Sequence, residues 1–160
     1  MKKSNGTLLL ASLAISLGAG ALSRILTSGS MEQYETLYKP PLAPPGWLFP
    51  IVWTILFILM GIAAYLVARQ GGEGSREALA LYLIQLLANV AWSVIFFRFE
   101  AYLLAFAWLL LLWYLILITI QHFAPISRTA ALLMLPYLLW VTFAGYLNLA
   151  IALSEMSFWS

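Results

Sequence analysis

The sequence predicts an all-α integral membrane protein, a bundle of five transmembrane helices. Of its 160 residues, 64% are hydrophobic and only 9% are charged, whereas a soluble domain is roughly half apolar and about a quarter charged. Five apolar stretches are each long enough to cross a bilayer core as a helix, which takes about 20 residues. The charges lie mostly between these stretches. The composition therefore excludes a disordered chain, a nucleic-acid-binding surface and an ordinary soluble fold.

The apolar stretches set the limits of the predicted helices, which together form a single domain covering residues 1–160. Each stretch is continuous, and the lack of alternation with polar residues favours helices over strands. The later connections are short, so neighbouring helices are expected to be antiparallel. The predicted helices lie at about residues 7–27, 48–68, 78–97, 101–123 and 129–153.

The first stretch admits a second interpretation. Lys2 and Lys3, an apolar run and Ala19-Gly20-Ala21 together resemble a secretory signal with a small-residue cleavage site. The apolar character continues to Leu26, which favours a transmembrane helix, and its small residues suit close helix contact. Five spans put the termini on opposite sides, and the excess of Lys and Arg on the N-terminal side favours a cytoplasmic N-terminus.

Residue types that carry enzyme chemistry are scarce. The chain has no cysteine, which excludes disulfides, thiolate nucleophiles and Cys-ligated metals. With one histidine, His122, and no aspartate, no metal site is predicted. Catalytic triads and phosphate-binding loops are absent, and the lack of repeated intramembrane acids disfavours an ion-coupled pump. We interpret His122 as an interfacial residue rather than a haem ligand.

The connection at residues 32–47 is the longest and contains four prolines between residues 40 and 45. These prolines exclude a regular helix and make the segment stiff. One interpretation is a rigid spacer that anchors Trp47 at the membrane interface. The other is a lid over a cavity among the helices. The length favours the lid, because far fewer residues would join two antiparallel helices.

The third span carries a polar stripe. Gln85, Asn89 and Ser93 are spaced four residues apart and therefore share one helix face, beside Trp92. An amide in hydrocarbon must find a partner or face a cavity. The stripe therefore predicts either hydrogen bonds between helices or the polar wall of a ligand pocket.

Aromatic residues follow helical spacing on two other spans. Tyr137, Trp140 and Ala144 recur on the fifth span, and Trp53 and Phe57 lie one turn apart on the second. Each stripe alone is more often packing than a binding site. An aromatic wall, an amide stripe and a proline-rich cap together suit a flat, largely apolar ligand with a few polar groups.

These motifs closely resemble those of the TspO/MBR family, also called translocator protein, peripheral-type benzodiazepine receptor or tryptophan-rich sensory protein. The resemblance rests on three segments in the family's order: 39–45 followed by Trp53, then Gln85, Asn89, Trp92 and Phe96-Phe97, and finally 136–148. One departure is Leu42, where a tryptophan is usual. The sterol-binding motif proposed for the family needs a Lys or Arg after a Tyr. No Lys or Arg follows Arg128, so this motif cannot lie in the C-terminal part of the sequence.

The resemblance implies a bacterial-type member, located in the bacterial cell membrane as a homodimer. It implies binding of porphyrins (protoporphyrin IX or haem) and of isoquinoline- or benzodiazepine-type compounds as ligands, with no cofactor required. The implied pocket lies under the first loop and is lined by Tyr34, Pro44, Trp53, Phe57, Gln85, Asn89, Trp92, Ser93, Trp140 and Ala144. Some bacterial relatives degrade porphyrin photo-oxidatively, which would make Trp53 and Trp140 catalytic.

The leading hypothesis is thus a membrane receptor or sensor for tetrapyrroles. One alternative is an enzyme that degrades porphyrin with light and oxygen. A second is a tetrapyrrole transporter, although five helices without a repeat make alternating access difficult to build. The last is a membrane scaffold whose polar stripe only ties helices together.

Overall fold

The computed structural model describes residues 5–159 and contains six α-helices and no strand in that range. All but the short α2 are long and apolar enough to span a membrane, which confirms the predicted class. The helices are α1 Asn5–Leu26, α2 Met31–Thr36, α3 Leu48–Ala68, α4 Gly72–Ser93, α5 Tyr102–Phe123 and α6 Arg128–Trp159. A π-helical segment, Val94–Arg98, continues α4.

Two helices are longer than their apolar stretches. Helix α4 begins at Gly72 rather than near residue 78, and α6 continues to Trp159 rather than ending near residue 153. A helix needs apolar residues only where it crosses hydrocarbon, so polar turns can extend it beyond the bilayer core. Gly71 and Gly72 have positive φ values of 68° and 90°, and this glycine-dependent backbone forms the turn that precedes α4.

The five spanning helices form a closed ring. Helix α1 packs against α3, α3 against α6, α6 against α5 and α5 against α4, while α4 returns to contact α1 and α3. The alternating chain direction brings the first loop (residues 27–47), the α4–α5 turn and the end of α6 to one side. We call this side the loop end of the bundle.

Helices α1 and α3 approach closely through small residues. The Ser16 hydroxyl donates to the Phe57 carbonyl oxygen at 2.7 Å. A Cβ atom on Gly61 would lie 2.7 Å from Ser16 Oγ and 3.1 Å from the Leu13 Cα. A Cβ atom on Gly20 would lie 2.8 Å from the Phe57 ring. The absence of side chains at these positions therefore sets the distance between the two helices.

The first loop is tied down by two side chains. Lys39 Nζ donates to the carbonyl oxygens of Tyr34, at 2.5 Å, and Leu37, at 3.0 Å, and lies 4.5 Å from the centre of the Tyr34 ring. The Tyr146 hydroxyl of α6 donates to the Pro41 carbonyl oxygen at 2.7 Å. Lys39 therefore joins parts of the loop to one another, and Tyr146 fastens the loop to α6.

Replacing Gly61 by alanine should lower the melting temperature of the protein in detergent micelles. The added methyl group meets the α1 backbone and cannot be accommodated by a side-chain rotation, and such overpacking costs about 1–3 kcal/mol. Gly18→Ala is the matched control, because a Cβ atom at Gly18 meets nothing within 4 Å. Equal melting temperatures for the two variants would contradict the close α1–α3 contact.

Candidate ligand-binding cavity

A cavity of about 500 Å³ lies at the loop end, between α1, α3, α4 and α6 and beside residues of the first loop. Ligand pockets in proteins typically measure roughly 300–1,000 Å³. The side chains that face it are mostly aromatic or apolar. The cavity is therefore large enough for a drug-sized planar molecule.

Indole and phenyl rings form one wall of the cavity. The Trp53 and Trp140 ring centroids are 6.5 Å apart with an interplanar angle of 88°, and Phe57 lies 5.7 Å from Trp53. Phe49 joins this wall to the loop, with its ring 5.9 Å from Trp140 and 5.4 Å from Tyr34. The contacts are edge-to-face except for the tilted Trp53–Phe57 pair. They position the rings, and all of these residues line the cavity.

The polar stripe of α4 divides between two roles. Asn89 Nδ2 donates to the Tyr137 hydroxyl at 2.7 Å, and that hydroxyl donates to Gln85 Oε1 at 2.7 Å. Gln85 and Tyr137 are completely buried and do not line the cavity, whereas Asn89 and Ser93 do. The stripe therefore makes hydrogen bonds between helices at Gln85 and Asn89, and it lines the cavity at Asn89 and Ser93.

A second polar contact positions the opposite wall. Trp92 Nε1 donates to Asn148 Oδ1 at 3.1 Å, and Asn148 Nδ2 donates to the Tyr102 carbonyl oxygen at 2.9 Å. These bonds join α4, α6 and the start of α5. Just beyond Trp92, the π-helical segment places Phe96 and Phe97 in the cavity lining, and π-helical turns occur frequently at functional sites.

Several buried hydrogen-bond donors at the cavity have no protein partner. Tyr34 Oη, Trp140 Nε1 and Ser23 Oγ are buried atoms of cavity-lining residues and bond to nothing in the described chain. Burial, with a smaller contribution from the Glu35 carboxylate, raises the pKa of Tyr34 to about 12, so its hydroxyl stays protonated at neutral pH. Because an unsatisfied buried donor costs about 1–3 kcal/mol, these groups favour a ligand that carries hydrogen-bond acceptors.

Eight of the ten residues predicted to line the pocket face this cavity: Tyr34, Trp53, Phe57, Asn89, Trp92, Ser93, Trp140 and Ala144. Pro44 lies in the first loop outside the lining, and Gln85 lies beneath it. Sequence reasoning missed Phe49 and the whole contribution of α1, which includes Gly20, Ser23 and Arg24. Helix α1 has no aromatic or amide stripe, so the one feature of its sequence that could have indicated a role at the cavity was the charge of Arg24 within an apolar span.

The histidine lies far from the cavity. His122 is exposed near the end of α5 that is opposite to the loop end, and its Nδ1 atom is 2.9 Å from the Ile118 carbonyl oxygen. Within residues 5–159, no cluster of histidine and acidic side chains could hold a metal ion. The chemistry of the cavity is therefore that of aromatic rings, hydroxyls, amides and two charged groups, Arg24 and Glu35.

Comparison with known proteins decides the family. A model of the TspO/MBR family matches residues 11–153. The chain belongs to the TspO/MBR family. Together with the five spanning helices, this makes it an integral membrane protein and confirms the resemblance seen in the three sequence segments.

Relatives in the TspO/MBR family come from distant organisms. The chain is 46% identical to the tryptophan-rich protein TspO of Chlorobaculum tepidum over 120 residues, covering 74% of this chain and 76% of that protein. It is 40% identical to the tryptophan-rich sensory protein of Cereibacter sphaeroides over 117 residues, covering 73% of each. It is 39% identical to the translocator protein of Ovis aries over 118 residues, covering 72% of this chain and 70% of that protein.

Replacing Tyr137 by phenylalanine should destabilise the bundle, because Asn89 Nδ2 and Gln85 Oε1 both lose their partner. Hydrogen bonds between membrane helices contribute about 0.6–2 kcal/mol, so thermal unfolding in micelles should shift to lower temperature. Tyr114→Phe is the control, since that ring is exposed on α5. If the Tyr137→Phe protein were as stable as the control, the buried hydrogen bonds of Tyr137 with Asn89 and Gln85 would not stabilise the contact between α4 and α6.

Proposed function

We propose that this protein is a membrane receptor or sensor that binds porphyrins, such as protoporphyrin IX or haem, and flat isoquinoline- or benzodiazepine-type compounds. The observation that carries the proposal is the meeting of Trp53, Asn89 and Trp140, from three separate helices, on one cavity of about 500 Å³. The names of the sensory protein of Cereibacter sphaeroides and the translocator protein of Ovis aries also support a receptor or sensor role.

Most of the binding free energy would come from burying the flat ligand against the aromatic wall. Trp53 and Phe57 offer ring surface from α3, and Trp140 offers it from α6. Large aromatic side chains contribute through buried area and ring geometry. The unpartnered donors of Tyr34 and Trp140 would orient the acceptor atoms of the ligand. The first loop, fastened by Lys39 and Tyr146, would cover the bound molecule.

The proposal extends to the setting in which the protein acts. Similarity to bacterial relatives supports a place in a bacterial cell membrane. The ligand would be the only non-protein group, with no resident cofactor and no nucleic acid involved. We also propose that the protein works as a homodimer, a state that cross-linking in native membranes would test.

Trp53→Ala and Trp140→Ala should each weaken protoporphyrin IX binding by about tenfold or more, because each removes a large buried aromatic contact. Titration followed by the porphyrin absorbance band avoids using tryptophan fluorescence as the signal. Trp113→Ala is the matched control, since that indole donates to Thr142 Oγ1 and does not line the cavity. Unchanged affinity in both cavity variants would show that protoporphyrin IX does not bind in this cavity.

A second candidate function is porphyrin degradation driven by light and oxygen. The adjacent indoles of Trp53 and Trp140, with centroids 6.5 Å apart, favour it because an indole can be oxidised to a radical beside a bound porphyrin. Illumination of the complex in air should then bleach the porphyrin faster than illumination of free porphyrin. Trp53→Phe should slow the bleaching while keeping a ring for binding. Bleaching no faster than that of free porphyrin would leave receptor function alone.

A further inference from the structure

We propose that Arg24 is an anion anchor at this cavity, where its guanidinium binds a carboxylate of the ligand. The protein would then select planar ligands with an acidic edge over neutral planar ligands of the same shape. This inference rests on the proposed function, because the ligand must occupy the same cavity. It assigns a specificity-determining residue to α1, a helix that carries none of the aromatic or amide stripes.

The position of the charge is the first observation. Arg24 is the only charged residue in α1, whose other residues are apolar, small or uncharged polar. Charged side chains in membrane helices are costly, and they usually face a cavity or a functional partner. Arg24 is one of the residues that line the cavity. Because it lies near the loop end of α1, its guanidinium can reach the membrane interface and remain charged.

The second observation is that this cation has no protein counter-ion. Among the described side chains, none forms an ion pair or a hydrogen bond with the Arg24 guanidinium. The carboxylate of Glu35 also lines the cavity but is not paired with Arg24. A ligand carboxylate would therefore meet an available cation at Arg24, whereas the charge of Glu35 would repel it.

The third observation is the polarity of the unpartnered groups around the cavity. Ser23 Oγ, adjacent in the chain to Arg24, and Tyr34 Oη are both buried without a partner, and both belong to residues of the lining. Each can donate a hydrogen bond. A carboxylate accepts up to four such bonds and binds a guanidinium in a bidentate manner. The two free hydroxyls can therefore add hydrogen bonds to a carboxylate that is held by the Arg24 guanidinium.

These groups also define how the ligand would lie. The ring system would rest on Trp53 and Trp140, with its acidic edge directed to Arg24 at the loop end. Arg24 is exposed, so the ion pair would stay partly hydrated and contribute modestly. We therefore expect an acidic porphyrin to bind about two- to fivefold more tightly than its neutral ester, in line with an exposed ion pair.

The test compares protoporphyrin IX with its dimethyl ester, which has the same ring and no carboxylate. The full chain is placed in phosphatidylcholine nanodiscs, and Kd is measured by absorbance titration for the wild type and Arg24→Gln. We expect the wild type to prefer the acid and Arg24→Gln to bind both porphyrins with the affinity of the ester. Raising the salt concentration should weaken wild-type binding of the acid and leave the ester unchanged.

Arg98→Gln is the matched control, because it removes the same charge at the same end of the bundle from a residue outside the cavity lining. It should keep the preference for the acid. If Arg24→Gln does not fold, Arg24→Met, which retains an unbranched apolar stem, takes its place.

Three results would contradict the proposal that Arg24 binds a carboxylate of the ligand. One is equal affinity of the wild type for acid and ester, and another is an equal loss for both porphyrins in Arg24→Gln. The third is a loss of preference in Arg98→Gln as large as in Arg24→Gln, which would point to general surface charge.

If Arg24 served lipid phosphates instead, Arg24→Gln would leave both affinities unchanged. Failure of the proposed function is distinct, because then neither porphyrin would show binding that depends on Trp53.

Discussion

The structure depends on the rule that a polar group buried between membrane helices must find its partner within the protein, since lipid offers none. The Asn89–Tyr137–Gln85 chain satisfies this rule between α4 and α6. The contact of Trp92 with Asn148 repeats it nearer the loop end. These bonds join α4 to α6 beside the cavity, whose lining includes Asn89, Trp92 and Asn148.

Much of this architecture could be predicted because the bilayer imposes a length on each apolar stretch and leaves the charges in the connections. The stripe of Gln85, Asn89 and Ser93 was equally visible, since helical spacing alone puts those residues on one face. Spacing cannot say how deep each residue lies. Only the packing of α6 showed that Gln85 meets Tyr137 while Asn89 also reaches the cavity.

The contribution of α1 could not be predicted for a different reason. Gly20 has no side chain, and its importance lies in the Phe57 ring that fits against it. Arg24 was visible as a charge in an apolar span, but the direction it faces follows from how α1 packs against α3 and α4. Phe49 was likewise hidden, because its role is to bridge the aromatic wall and Tyr34 of the loop.

The free polar groups of the cavity can each donate a hydrogen bond, and the aromatic surfaces come from three helices. One flat ligand with acceptor atoms can therefore contact both. The decisive measurement is the structure of the full chain with protoporphyrin IX bound. We expect the porphyrin ring between Trp53 and Trp140 under the first loop, with Asn89 beside it. Density for the porphyrin on the lipid-facing surface, with the cavity unchanged, would contradict a receptor that binds its ligand within the bundle.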